Sequence, residues 1–509
     1  MPTILLFTFL PFMSVVVAQE NVLDTNITLA RQNTSIYLIF HQISRQTGYY
    51  FIYDSELLDS DKKVRIRHTT EPLKSFLKTL LEEDTLDFKV VGQHILILQK
   101  STEELASTDT KHSSQNDYHV IQGRVLDLDS GSPLAYASVG LPAKGIGVPS
   151  NTEGYFRITV PDSLTNDSIR ISYMGYKTRH IPVGLLMDHQ VDIRLQTDYI
   201  SMQEVIIRYY DPMDVIKEAL EMRENNMSNK PAYLMSFYRE GVQKKSDFLN
   251  YSEAVFKIYK SPYLNPYEQD QAMVLKSRNI TNRDHTDTLL LKLKAGVKSS
   301  LELDIMKNLP DFLDPEFFQY YEYSAAGLVS LHSRLVYVID FQQLPHITEP
   351  LYKGTLYIDK ENLAFVKVDF EINPRYLHKV SERFVVKKTR HHTPHIQEIS
   401  YTVSYQAHEG YFYLNHVRGD IHLKIRRRNQ LFGKDYHLFL EMAISHIETE
   451  DVNRFRRREA FQTNAIFSEK EFQYDYNFWG DYNIITPETH INDALREINS
   501  RIESLSIEN

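Results

Sequence analysis

Two short segments place a histidine three residues before a glutamate, a spacing that can offer two ligands to a catalytic zinc ion. They are His346-Ile-Thr-Glu349 and His395-Ile-Gln-Glu398. Such a site also needs a second histidine much further along the chain, so that three ligands leave one position open for water. For the first segment, the later histidines leave only an unusually long spacing to a third ligand. The second segment lies within a predicted strand, and only His490 is far enough along the chain to be its third ligand. The sequence therefore predicts no metal site and no catalytic residue.

The histidines are densest at His391-His392-Thr393-Pro394-His395. This cluster lies between two predicted strands, so a hairpin loop is the first interpretation and metal binding is the alternative. The chain has no cysteine. Disulfides, thiol catalysis and thiolate metal sites are therefore excluded. No phosphate-binding or dinucleotide-binding glycine motif is present, and the sequence predicts no cofactor.

Two basic runs stand out in a chain whose formal net charge is −10. A solvated surface is the usual explanation of such runs, and contact with lipid headgroups or with polyanionic lipopolysaccharide is the alternative. The residues that would make this contact are Arg426, Arg427, Arg428, Arg456, Arg457 and Arg458. The acidic balance of the whole chain argues against nucleic acid as a partner.

Strict alternation of polar and apolar residues is clearest between His416 and Arg426. One face of such a strand is wet and the other is packed. If the sheet curls over a helix, its concave apolar face is either filled by that helix or open as a groove for an acyl chain or an apolar peptide. The candidate groove residues are Leu356, Ile358, Val366, Val368, Val417, Ile421, Leu423 and Ile425.

The elements that must position these residues form a large antiparallel β domain at 231–485. Period-two patterns predict strands in it at 233–239, 333–341, 354–358, 364–372, 384–389, 398–405, 411–428 and 436–447. An insert between Lys298 and Phe318 is predicted to be helical or irregular. The segment from Gly354 to Phe370, with its tight Asp359-Lys-Glu-Asn362 turn, resembles a hairpin of the outer-membrane lipoprotein-carrier half-barrel. That resemblance implies a curved sheet wrapped on a helix.

Residues 118–208 contain short alternating runs divided by turns, which predict a small antiparallel β-sandwich. They include Gly123-Arg-Val-Leu-Asp127, Asn151-Thr-Glu-Gly-Tyr-Phe156 and Ile171-Ser-Tyr-Met-Gly-Tyr176. This stretch resembles the carboxypeptidase regulatory-like domain, a sandwich of transthyretin type. In that family the domain is an accessory to peptidases and is not their catalytic part.

Residues 19–99 contain a degenerate strand–helix–strand repeat. Ile36, Ile39, Phe40 and Ile43 follow the spacing of an amphipathic helix, and a second stripe begins at Leu73. With Gln46-Thr-Gly-Tyr-Tyr-Phe-Ile-Tyr53, this doublet is similar to the secretin and TonB N-terminal (STN) domain. The resemblance implies a small α+β interaction module of the periplasm without catalytic residues.

The remaining segments complete a multidomain, mainly β chain, for which three or four domains are expected from the length of 509 residues. The apolar run at 4–18 predicts a secretory signal peptide that is cleaved after Ala18. The other predicted segments are a polar linker at 100–117, a connecting helix at 209–230 and a C-terminal helix at 486–509.

These observations predict a non-enzymatic binding protein that is exported to the periplasm or outer membrane of a Bacteroidetes-type bacterium. A TonB-system or outer-membrane component is the expected partner, and lipid or lipopolysaccharide is a further candidate. The rival hypotheses are a TonB-dependent receptor, a smaller membrane barrel and a zinc carboxypeptidase. About 300 residues follow Ile207, too few for a plug and a 22-stranded barrel at ~10 residues per strand plus loops.

Overall fold

The structure is a computed structural model in which the chain forms two compact units, Met1–Lys111 and His112–Asn509. The residues that it describes are 21–54, 57–81, 86–99, 118–187, 189–198, 210–245, 247–265, 267–281, 296–380, 392–427, 433–463, 479, 482–489 and 491. The predicted signal peptide, the linker and most of the C-terminal helix lie outside them. Among the described residues, no helix is long and apolar enough to cross a membrane.

The N-terminal unit packs two helices on short strands. Its strands are β1 (Asn26–Leu29), β2 (Gln32–Ser35), β3 (Tyr50–Tyr53), β4 (Lys63–Ile66), β5 (Thr69–Pro72), β6 (Leu86–Val91) and β7 (His94–Gln99), and its helices are α1 (Ile36–Thr47) and α2 (Leu73–Leu81). Ser35 caps α1 by accepting a hydrogen bond from the Leu38 amide, and Gly48 ends it at a φ of 75°. The predicted apolar stripes of both helices are buried in one core.

Residues 118–195 form the β-sandwich of the second unit. Its strands are β8 (Tyr118–Asp127), β9 (Ser138–Leu141), β10 (Ile146–Pro149), β11 (Tyr155–Pro161), β12 (Ser168–Ser172), β13 (Arg179–Pro182) and β14 (Gln190–Leu195). One sheet has the order β11-β8-β14 and the other the order β13-β12-β9-β10. The prediction of a purely antiparallel sandwich is wrong in one pair, because β14 runs parallel to β8. Gly123 lets this pair close, since a Cβ atom there would lie 2.3 Å from the Val191 carbonyl oxygen.

Beyond the sandwich, the described residues of the second unit form a ten-stranded antiparallel sheet with three α-helices. Its strands are β15 (Ala232–Lys244), β16 (Asp247–Lys260), β17 (Gln271–Thr281), β18 (Tyr321–Leu331), β19 (Arg334–Gln343), β20 (Tyr352–Asp359), β21 (Phe365–Ile372), β22 (His392–His408), β23 (Tyr411–Arg427) and β24 (Lys434–Glu448). The helices are α3 (Pro212–Glu221), α4 (Arg223–Asn226) and α5 (Gly296–Glu302). The strand order is β18-β19-β20-β21-β22-β23-β24-β15-β16-β17. Ile146 of the sandwich pairs with His446 of β24, which joins the two β systems.

This sheet curls into a half-barrel around its own helices. Ile216 of α3, Val297 of α5 and Phe312 of the insert that follows α5 are fully buried against its apolar face. The insert is also fixed by polar contacts, because Asp304 accepts a hydrogen bond from the Tyr405 hydroxyl and pairs with the buried Lys260. The prediction of a multidomain, mainly β protein is therefore confirmed.

Candidate functional site

The eight residues of the predicted apolar groove all lie in the core of the half-barrel. Their exposed fractions run from 0% to 6%. They pack against α3, α5 and the insert in one continuous apolar cluster. The structure therefore replaces the open groove with a filled core at Leu356, Ile358, Val366, Val368, Val417, Ile421, Leu423 and Ile425.

The two basic runs lie at opposite ends of the long strands. Arg426 is exposed near the end of β23, beside the start of β24, whereas Arg456, Arg457 and Arg458 are exposed in the turn after β24 ends. The fifteen residues of β24 separate the runs by roughly 50 Å at ~3.3 Å per residue. The four described arginine side chains therefore do not form a single patch for a polyanion. The side chain of Arg427 and the whole of Arg428 lie outside the described residues.

The predicted histidine loop is wrong over most of its length, because β22 already begins at His392. His395 is exposed on that strand, and His346 is exposed in the loop between β19 and β20. In the described ranges, no group of three or more histidine, aspartate or glutamate side chains is placed to hold a metal ion. Neither His-x-x-Glu segment is therefore completed into a zinc site there.

The opposite, outward face of the large sheet carries a row of polar residues in cross-strand register. We call it the polar row, and from one edge of the sheet to the other it runs Ser324, Asp340, Thr355, Asp369, Thr402, Arg418, Glu441, Arg239, Glu253 and Arg278. Neighbours on paired strands bond directly, for example Thr402 to Asp369 at 2.8 Å and Arg418 to Glu441 at 3.2 Å. The row divides into a covered half and an open half.

A segment near the C-terminus covers the half of the polar row that lies on β24, β15 and β16. We call residues 482–489 the strap. Glu488 of the strap makes two bonds of 2.9 Å to the guanidinium of Arg239, which is fully buried. Ile485 and Trp479 pack beside them on Phe237. The strap thus fills this half of the outward face.

The sandwich holds the strap from its other side. Asn151 donates a hydrogen bond to the Thr486 carbonyl oxygen at 3.0 Å, and the Thr159 amide donates one to Asn483 at 2.6 Å. Helical residues begin at Thr489, later than the start at residue 486 that the sequence predicts for the C-terminal helix. The strap is therefore fixed between the sandwich and the large sheet.

Two carboxylates of this covered half are held ionised. Burial alone would raise the pKa of Glu441, but the charges of Arg239 and Arg418 outweigh burial and hold that pKa well below the ordinary 4.5. Burial likewise opposes ionisation of Glu488, and Arg239 again lowers the pKa. The buried charges are thus mutually compensated, which a low-dielectric interior requires.

Acid is expected to loosen the strap. Because the folded-state pKa values of Glu441 and Glu488 lie below 4.5, their contribution to stability is fully present above that pH and is lost as the pH falls below it. Trp479 is the only tryptophan of the chain and is buried beside the strap. Its fluorescence should shift to longer wavelength on acidification below about pH 4, and Glu488→Gln should begin this shift at higher pH. An emission maximum that is constant down to pH 2 would contradict the expectation.

The open half of the polar row borders a groove of about 680 Å³ across β18 to β22. Five carboxylates and a single lysine line it, together with hydroxyl and amide side chains. The charged residues are Glu322, Asp340, Asp369, Glu371, Glu398 and Lys353. We call this the acidic groove. Its carboxylates alternate along the strands with buried residues such as Phe370, so they project from the outward face.

Only part of the negative charge in the acidic groove is neutralised by nearby cations. Lys353 pairs with Glu371 at 2.8 Å, and Lys367 pairs with Asp369 at 2.7 Å. Among the described residues, the hydrogen bonds recorded for Asp340 and Glu398 come from the hydroxyls of Thr355 and Ser400. Glu322 accepts one from Gln342. The groove can therefore attract a cationic ligand, and its hydroxyls and amides can add neutral hydrogen bonds.

Sequence reasoning singled out neither the acidic groove nor the strap. The signal for the groove was available, because the alternation that places Leu356 and Val368 on the apolar face places Thr355 and Asp369 on the outward face. No comparable local signal exists for Glu488, since its partner Arg239 lies 249 residues away.

Comparison with known protein families assigns the sandwich. Residues 121–207 match the family of CarboxypepD_reg-like domains. The predicted carboxypeptidase regulatory-like domain is therefore confirmed for this segment, which is a minor part of the chain. None of the curated proteins compared with the chain matches it.

Several solved structures are similar to part of the chain. One is a DUF1329 family protein from Desulfovibrio piger, with 11% identity over 48% of this chain and 96% of that chain and a TM-score of 0.22. Another is a putative outer membrane lipoprotein-sorting protein domain from Vibrio parahaemolyticus, with 10% identity over 48% and 95% and a TM-score of 0.21. A third is lipovitellin, with 6% identity over 46% and 27% and a TM-score of 0.23. At these TM-scores the similarities carry no argument about fold or function.

Proposed function

We propose that the protein is a non-enzymatic binding protein of the cell envelope and that the acidic groove is its binding surface. The observation that carries this proposal is the division of the large sheet. Its apolar face is filled by α3, α5 and the insert, and the strap covers half of its outward face. The groove, which borders the remaining half, is concave, has a volume suited to a ligand and is lined by polar side chains that converge.

The chemistry of the groove supports binding rather than turnover. Its carboxylates are already engaged with lysines, threonines or serine on neighbouring strands, as surface recognition groups commonly are. Export to the envelope is supported by the apolar run at 4–18 and by the sandwich domain that follows. The partner is a cationic component of the envelope, held by the charge of Glu322, Asp340 and Glu398, for which no ion pair occurs among the described residues.

Removal of that charge is expected to abolish capture of the partner. The test variant carries Glu322→Gln, Asp340→Asn and Glu398→Gln, which keep the size of each side chain and its hydrogen-bond acceptor. Wild-type and variant protein are crosslinked in intact cells at low ionic strength, and the crosslinked envelope components are identified by mass spectrometry. We expect the main crosslinked partner to be lost in the variant, because surface charges attract over about 10 Å at low salt.

The matched control removes the same charge from the exposed side of α3 and α4. It carries Glu218→Gln, Glu221→Gln and Glu224→Gln, all exposed positions away from the groove. It should capture the partner as the wild type does. Equal loss in both variants would show that only the net charge matters, and unchanged capture by the groove variant, or protein retained in the cytosol, would contradict the proposal.

A further inference from the structure

Strand β18 is an edge strand of the large sheet, and it forms the outer border of the acidic groove. Among the described strands, β18 pairs only with β19. Glu322 and the small residues Ser324, Ala325, Ala326 and Gly327 are exposed along it. Natural sheets protect such edges with lysine, proline or a covering element. The strand contains neither lysine nor proline, so its backbone can accept another strand.

The hydrogen-bonding pattern between β18 and β19 determines which backbone groups of β18 point toward the open edge of the sheet. The Leu344 amide donates to the Tyr320 carbonyl oxygen at 2.9 Å, which makes these two residues a hydrogen-bonded pair in the register with β19. In an antiparallel ladder hydrogen-bonded and non-hydrogen-bonded pairs alternate. The amide and carbonyl groups of Tyr321, Tyr323 and Ala325 therefore point away from β19, toward the open edge.

The far part of the edge is already occupied, which sets the length of the free stretch. The Gly175 amide of the sandwich donates a hydrogen bond to the Ser330 carbonyl oxygen at 2.6 Å. The register also shifts between Ala325 and Gly327, which forms a bulge. The free stretch is thus residues 321–326, roughly 20 Å long at ~3.3 Å per residue, which is the length of an ordinary strand.

The two faces of this edge specify the side chains of an added strand. On the outward face, alternate residues would lie beside Glu322 and Ser324, with Asp340 on the next strand. On the other face they would lie beside Tyr321 and the half-buried ring of Tyr323. Opposite charges and apolar contacts across strands stabilise such pairs. Basic and apolar side chains in alternation are therefore the best complement.

We propose that β18 binds an extended segment of a partner protein, alternately basic and apolar, which adds to the sheet as an eleventh strand beside the acidic groove. This inference rests on the proposed function and names its partner class. Backbone hydrogen bonds to the edge supply affinity, and the carboxylates select basic side chains on one face.

The test uses the synthetic peptide acetyl-Lys-Val-Lys-Val-Lys-Val-Lys-amide and isothermal calorimetry with the full chain. In the proposed pairing the valine backbone groups face β18 and the lysine backbone groups face solvent. N-methylation of the valines should therefore weaken binding by about tenfold or more, whereas N-methylation of the lysines should leave it unchanged. The two methylated peptides have the same amino-acid sequence and charge and carry three and four N-methyl groups, respectively.

Variants of the edge give the complementary result. Ala325→Pro removes one backbone amide that points to the open edge, and it should weaken binding of the unmodified peptide by about tenfold. Ala325→Ser keeps this amide and should not weaken binding. An unchanged circular dichroism spectrum would confirm that Ala325→Pro is folded. If this variant is misfolded, the comparison of the two methylated peptides alone tests the inference.

The remaining outcomes separate the inference from the proposed function. If both methylated peptides bind equally well but the groove variant does not bind, the inference is overturned and charge recognition by the groove stands. If no peptide binds while the crosslinked partner is still lost in the groove variant, the inference again fails alone. A concentration-dependent dimer that Ala325→Pro abolishes would identify a second copy of the chain as the occupant of the edge, and would overturn the proposal of a partner protein.

Discussion

Replacement of Arg239 by leucine is expected to cost about 3–5 kcal/mol of unfolding free energy, the typical effect of removing one member of a buried ion pair. The guanidinium is fully buried and bonds both Glu441 and Glu488. Without it, two buried carboxylates lie side by side with only part of their charge compensated by Arg418. The strap should detach first, because only Glu488 belongs to an element that can leave without breaking the sheet.

The measurement is denaturant unfolding followed by circular dichroism and by the fluorescence of Trp479. Fluorescence should shift at lower denaturant than the dichroism signal, since Trp479 packs on Phe237 next to the strap. The control is Arg426→Leu, which removes the same side chain from an exposed position of the same sheet and should change stability by less than about 0.5 kcal/mol. Equal stability of the two variants would show that the buried charges make no net contribution to the free energy of unfolding.

The sequence predicts those parts of the fold whose signal is local. Ser35, Gly48 and the Ile36 to Ile43 stripe define α1 almost to the residue, because capping and periodicity act within a few turns. The alternation between His416 and Arg426 likewise identifies β23 and assigns Val417 and Ile421 to the core. Such signals need no knowledge of the partner elements.

The strands that were not predicted are those in which the period-two pattern fails. β16 and β17 carry buried polar residues, for example Ser252, Glu253 and Arg278. Their burial depends on ion pairs across strands and on the cover supplied near the C-terminus, at Trp479. β18 is concealed by its small exposed residues, because an edge strand has little apolar surface to bury. In each case tertiary context overrides the local pattern.

The sequence left two alternatives for the apolar face, filled by the protein's own helix or open as a groove, for a related reason. Alternation shows that Leu356 and Ile421 share an apolar face, but it does not show what covers that face. The covering insert is irregular, with a 3-10 turn at Asp311–Leu313. Strands β20 and β21 also approach each other closely at Gly354. A Cβ atom at Gly354 would lie 2.2 Å from the Asp369 carbonyl oxygen. This complementarity arises only when distant segments meet, so single-sequence periodicity cannot predict it.

Truncation of Phe312 to alanine is expected to reopen that apolar face and to cost about 3–5 kcal/mol of unfolding free energy, the usual cost of removing a buried phenylalanine ring. The ring is fully buried, stacks on Phe341 at 4.3 Å between centroids and lies 5.2 Å from Phe370. The insert is tied down independently, because Tyr323 donates a hydrogen bond to the Phe312 carbonyl oxygen. The neighbours should therefore collapse only partly, and an apolar cavity the size of a benzene ring should remain.

Thermal unfolding with and without benzene tests this expectation. Benzene should raise the midpoint of Phe312→Ala, because a ligand that binds only the folded state stabilises it by mass action, and it should not affect the wild type, whose core is filled. Phe317→Ala is the matched control, since that ring belongs to the same insert but is 39% exposed. It should lose little stability and bind no benzene. If benzene instead stabilises the wild type, the apolar face already holds an accessible cavity, and the predicted binding of an acyl chain or apolar peptide at Ile421 and its neighbours becomes the better hypothesis.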